Sequence, residues 1–146
     1  MPPAQHSATH FSHSLSTRAT PEKIWQVWTD VPRWKDWDSG LKDARLDGPF
    51  QAGATGTLIP DKGPESRFVI SEVSEGIFYT FKTKLPLGYL YVKRSLSTEN
   101  GQTLFAHEVW FTGPFKGIFG RLLGKSYREL LPEVMNRIKI LAEAKP

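Results

Sequence analysis

The chain is predicted to adopt an α+β fold, an antiparallel sheet whose open face is covered by one long C-terminal helix. Three observations predict it. Residues 41–112 read as six strands in succession, separated by turn residues at short spacing. Residues 123–142 carry the longest helical period in the chain. Between an alternating first segment and the meander lie two short helical signals, so the order is strand, two helices, six strands, helix.

The first strand is expected across His10 to Arg18, where Phe11, His13 and Leu15 alternate with Ser12, Ser14 and Ser16. Thr20 is placed to cap the next helix, with Pro21 at its first position and Glu22 at its positive end. Ile24, Val27 and Trp28 then recur at helical spacing. Asp30-Val31-Pro32 ends that helix, and Pro32 opens a second short one containing Trp34 and Trp37.

Strands are expected at 41–46, 54–59, 65–73, 77–85, 88–98 and 102–112, with Asn100-Gly101 as the clearest hairpin turn. In the last helix Leu123, Tyr127, Leu130 or Leu131, Val134, Ile138 and Leu141 form the apolar stripe. Glycines at 117 and 120 can break its start, and Pro132 is expected to kink or divide it. Residues 1–8 are expected to be a disordered tail and 9–146 a single domain. A curved sheet cannot lie flush on a straight helix, so a cavity is expected between them.

Composition narrows the function. The chain has no cysteine, which excludes disulfides, a thiolate nucleophile and thiolate-bound metal. Aromatic residues reach 12%, suiting a thick core or an apolar pocket. The first ten residues have no apolar run, and no segment has the length of a membrane span, so a cytoplasmic protein is expected. The net charge of +4 resides in the C-terminal part: residues 114–146 hold seven Lys/Arg against three Asp/Glu, whereas 1–113 hold twelve of each. That basic helix can be an ordinary solvated face, or can meet an anionic membrane or an acidic partner peripherally. Nucleic-acid binding is not expected, because the cations are not interleaved with aromatic residues in a known arrangement.

The segments Thr20-Pro21-Glu22-Lys23-Ile24-Trp25, Asp30-Val31-Pro32-Arg33-Trp34-Lys35-Asp36-Trp37, Thr103-Leu104-Phe105-Ala106-His107 and Phe111-Thr112-Gly113-Pro114 carry a resemblance. In their order and spacing the chain resembles the superfamily of START domains, polyketide cyclase-like proteins and pollen-allergen-type ligand carriers. The resemblance implies a helix-grip fold: a seven-stranded antiparallel sheet around a long helix, with a hydrophobic pocket between. It implies no single activity, because members carry lipids, bind hormones or cyclise polyketides.

Candidate site residues follow from strand alternation. In the last strand Phe105, His107, Val109 and Phe111 share the apolar face, which sends His107 towards the cavity as a ligand contact or general base. A core histidine satisfied by a neighbour is the commoner case. In the strand before, either Leu90, Val92, Arg94 and Leu96 face inward, making Arg94 a cavity cation, or Tyr89 and Tyr91 do. Tyr79, Phe81, Leu123, Tyr127 and Leu131 are wall candidates whose alternative is plain core. Trp34 and Trp37 can line the pocket mouth or anchor their helix to the sheet. The spacing of His6, His10 and His13 would suit a metal on a helix, but it falls in a tail running into a strand, so no metal and no cofactor are expected. The expected function is binding or transport of a small hydrophobic molecule such as a lipid, quinone or polyketide-like ring. The alternatives are a cyclase or dehydratase using His107 as base, and an interaction module acting through the basic helix.

Overall fold

The structure, a computed structural model, describes residues 6–144. Residues 1–5 of the expected tail lie outside the described residues, as does the side chain of His6. A two-residue strand β1 (His6–Ser7) folds back on β2 (His10–Thr17). Helix α1 (Pro21–Thr29) follows, its first turn capped by the Thr20 hydroxyl accepting from the Lys23 N–H at 3.3 Å. A 3₁₀ helix (Val31–Asp36) comes next, with Trp37 at its end. Then come β3 (Leu41–Leu46), β4 (Thr55–Pro60), β5 (Ser66–Ser74), β6 (Phe78–Leu85), β7 (Gly88–Glu99) and β8 (Gln102–Phe111).

All neighbours in the sheet are antiparallel, in the order β1-β2-β8-β7-β6-β5-β4-β3. The seven longer strands, β2 to β8, are those expected. The β7–β8 hairpin turns at Asn100 and Gly101, whose φ angles of 53° and 77° are those of a tight primed turn. Inward residues of β7 and β8 are those of the leucine face and the Phe105 face, so Leu90, Val92, Arg94, Phe105, His107, Val109 and Phe111 are buried.

The chain becomes helical again with a short α2 (Lys116–Phe119), a π-helical turn (Gly120–Gly124) and α3 (Lys125–Glu143). One expectation is corrected here. Pro132 does not divide the helix: it sits on the exposed side of a continuous α3, where the carbonyl it leaves without a donor faces the solvent side. The irregularity falls at the start of the helix, where glycines are expected to break it, as the π-helical turn Gly120–Gly124. A Cβ on Gly120 or Gly124 would lie 2.6 or 2.8 Å from the Ala8 carbonyl oxygen, so these glycines let the β1–β2 turn press against the helix.

Leu131, Val134, Met135 and Ile138 of α3 face the sheet and join Ile24, Trp28, Phe11 and Phe105 in the core. Each such side chain contributes about 1.5–3 kcal/mol when fully buried. The core is dense beneath α1 and the C-terminal half of α3. It opens towards the start of α3, and the cavity lies there.

Candidate functional site

The concave face of the sheet is organised in cross-strand rows. One row is apolar: Phe81 on β6, Val92 on β7, Val109 on β8 and Phe11 on β2 stand opposite one another in register. The next row is polar: Tyr79, Arg94, His107 and His13 occupy the equivalent positions on the same four strands. The 3₁₀ helix and the loop after it cover one end of these rows. A cavity of about 280 Å³ lies between the rows and α3.

The sequence candidates Trp34, Phe81, Val92, Arg94, His107, Val109, Tyr127 and Leu131 line this cavity. Trp37, Tyr79, Phe105 and Leu123 do not line it. Tyr79 lies beneath the wall with its hydroxyl turned to the Trp28 carbonyl at 3.2 Å. Phe105 packs against Trp28 with ring centroids 6.3 Å apart. Trp37 backs Arg94 and borders a separate surface groove with Asp30, Arg33 and Leu141. Leu123 falls within the π-helical turn, which displaces it from the stripe that a regular helix would give.

Arg94 has an unusual environment. Only 5% of it is exposed, and its guanidinium carbon lies 4.8 to 5.6 Å from the ring centres of Trp37, Trp34, Phe81 and Tyr79. Its Nη1 donates to the Tyr79 hydroxyl at 2.5 Å, while its buried Nε has no acceptor. Among the described residues no carboxylate lies within ion-pair distance of it. Cation–π contacts contribute about 0.5–2 kcal/mol each, whereas withdrawing a cation from water costs several. The aromatic cage offsets much of that cost and leaves donor capacity unused.

His107 is held differently. The Trp28 indole N–H donates to its Nε2 at 3.1 Å, so the ring is neutral with its proton on Nδ1. Burial, then the Arg94 charge, then His13, hold its pKa well below the ordinary imidazole value. Trp28 also serves as an acceptor, its carbonyl receiving the Trp34 indole N–H at 2.8 Å as well as the Tyr79 hydroxyl. The free carbonyl at the end of α1 thereby ties the helix to the polar row.

Five polar cavity residues escaped the sequence reading: Asp38, Lys62, Ser66, Thr83 and Ser126. Asp38 accepts from the Gly40 N–H at 2.9 Å. Burial raises its pKa, against the opposing effects of that hydrogen bond and of Arg94. Its signal was the Asp-Ser-Gly turn after Trp37, which reads from sequence only as a helix stop. Thr83 has a buried hydroxyl without a partner, and Ser126 stands at the start of α3; neither carries a sequence signal. The Tyr127 hydroxyl is pushed up to about 12 by burial first and then by the Asp38 charge, Arg94 opposing. The Tyr127 side chain as a whole is 37% exposed, which counts surface facing the cavity. The cavity thus has apolar walls and, at the Arg94 end, a cluster of donors and one acid.

The sequence pattern of the family described as polyketide cyclase / dehydrase and lipid transport matches residues 8–139, and the chain belongs to that family. No curated protein sequence matches it. Among solved structures it is similar to a protein of Chromobacterium violaceum, with a TM-score of 0.71 at 11% identity over 95% of this chain and 100% of that one. The allergen Ara h 8.0201 gives 0.71 at 12% identity over 91% and 96%. Truncated norcoclaurine synthase from Thalictrum flavum gives 0.65 at 14% identity over 97% and 99%. The structural likenesses establish the helix-grip fold, and the family match indicates a domain of the hydrophobic ligand-binding type.

Proposed function

We propose that the chain binds and carries a small, predominantly apolar molecule with a hydrogen-bond-accepting oxygen at one end, in the cavity between sheet and helix. The observation that carries this reading is Arg94, a caged cation at a cavity wall with no carboxylate partner among the described residues and an unused N–H. Thr83 and Tyr127 add hydroxyls near the same space, and Val92, Val109, Leu130 and Leu131 supply apolar wall. A lipid carboxyl, a quinone carbonyl or the oxygen of a polyketide-like ring meets this chemistry. Holding rather than transforming is favoured because the one basic nitrogen of His107 is already occupied by Trp28, which weakens the cyclase or dehydratase alternative. The cysteine-free composition supports a cytoplasmic setting.

Native mass spectrometry of freshly purified protein, followed by extraction, should reveal a bound small molecule carrying oxygen. In parallel, the fluorescent apolar anion 1-anilinonaphthalene-8-sulfonate should bind the emptied protein. Arg94→Gln should weaken that binding about tenfold or more, as expected for a lost charge-assisted hydrogen bond. A protein that holds nothing when purified and binds the probe no better than Arg94→Gln does would sink the proposal.

A further inference from the structure

The start of the C-terminal helix leaves a large apolar surface uncovered. Phe115 is 42% exposed, Ile118 56% and Leu122 69%. They belong to a segment, 113–128, that carries Lys116, Arg121, Lys125 and Arg128 and no acidic residue. The opposite side of this helix is fixed: Gly120 and Gly124 are buried against the Ala8 carbonyl, and Gly124 also meets the Phe111 and Phe11 rings. Ile118 and Leu122 are therefore held outward by the glycine contacts behind them. Leu87, 71% exposed at the β6–β7 turn, extends the patch, because its carbonyl oxygen packs against Gly113.

From this arrangement we infer that segment 113–128 docks on an anionic lipid surface, with Ile118 and Leu122 entering the interface and Lys116, Arg121 and Lys125 facing lipid head groups, while Arg128 turns back over the Phe11 ring. An apolar ridge whose flanking charges are positive as far as residue 128, with Glu129 the first acid beyond it, fits the boundary between acyl chains and anionic head groups better than a neutral apolar partner or free solvent. Its position adds a consequence. Ser126 and Tyr127, in the next turn of the same helix, line the cavity, and Lys62 on the β4–β5 loop lies at the same wall. Docking by this face would set the cavity beside the bilayer, the source or destination of an apolar ligand. The docking itself does not depend on the ligand-carrying proposal, since it rests on the exposed face alone. No helix among the described residues is long and apolar enough to cross a membrane, so the contact is peripheral.

The test is sedimentation of the intact protein with vesicles of phosphatidylcholine alone and of phosphatidylcholine mixed with phosphatidylglycerol, at low and high salt. Binding is expected to the anionic vesicles, to fall steeply with salt, and to be weaker by about fivefold for each cation removed. Arg121→Gln and Leu122→Asp should each weaken it while leaving thermal unfolding and binding of the cavity probe unchanged. Equal binding to neutral vesicles, or none to anionic ones at low salt, would overturn the inference. So would a dimer in solution that Leu122→Asp dissociates, because a second copy would then be what covers the face. Loss of probe binding by Arg94→Gln with vesicle binding intact would separate the two proposals.

Discussion

Buried arginines are rare because the guanidinium keeps its charge at any accessible pH and needs acceptors to replace water. Arg94 meets that need with one phenol and four ring faces, an arrangement that tolerates the charge without saturating it. His107 next to it adapts by remaining neutral. Its depressed pKa makes a signed prediction. Below the ordinary imidazole value of about 6.5 the unfolded chain takes up a proton that the folded one refuses, so stability falls as pH drops, levelling once the folded pKa is passed. The slope for one proton is at most about 1.4 kcal/mol per pH unit. His107→Gln keeps an acceptor for the Trp28 indole but cannot titrate. Urea unfolding between pH 7 and pH 5 should therefore show a flatter profile for this variant than for the natural chain. An identical slope in both would mean that His107 is not held neutral. That His107 faces inward was legible from the alternation of Phe105, Val109 and Phe111. That Trp28 would occupy its nitrogen was not, since the two are far apart in sequence and meet only when α1 packs over the sheet.

Among the elements, the strands were the most legible because a half-buried meander imposes a two-residue period, and the Asn100-Gly101 turn sets the register of its last hairpin. The helix after Gly113 was less so. The sequence offers two breaks, the glycines at 117 and 120 and Pro132, and a proline on a solvent-facing turn removes one hydrogen bond that water can replace. The irregularity went to Gly120–Gly124, where close approach of the Ala8 backbone needs the absence of a side chain. Gly124→Ala should accordingly destabilise the protein by about 1–3 kcal/mol despite its better helix propensity, because the new methyl meets backbone and two rings. A melting temperature equal to or above that of the natural chain would refute the close contact.

At the scale of the whole molecule, a cavity of about 280 Å³ within a chain of 146 residues is a large interior to leave without side chains. Filling it with a bound molecule should stabilise the fold through linkage, by about 2.7 kcal/mol when free ligand is a hundredfold above its dissociation constant. Protein stripped of its small molecules by solvent extraction and refolding should melt at a lower temperature than freshly purified protein, and should recover when the extract is returned. Identical melting before and after extraction would argue that nothing bound there contributes to stability.

The sequence by itself determined the order of elements, the seven main strands, the long helix over them and the inward turn of His107, since each depends on local period and turn chemistry. It left open which face of β7 points inward, because leucines and tyrosines both suit a pleated surface, and burial of the leucine face with Arg94 was decided by packing. Tertiary structure also removed Trp37, Tyr79, Phe105 and Leu123 from the cavity wall and brought in Asp38 and Thr83. Those positions depend on how the 3₁₀ helix closes over the sheet and where the glycine turn rotates the last helix, and neither is written in the spacing of residues along one element.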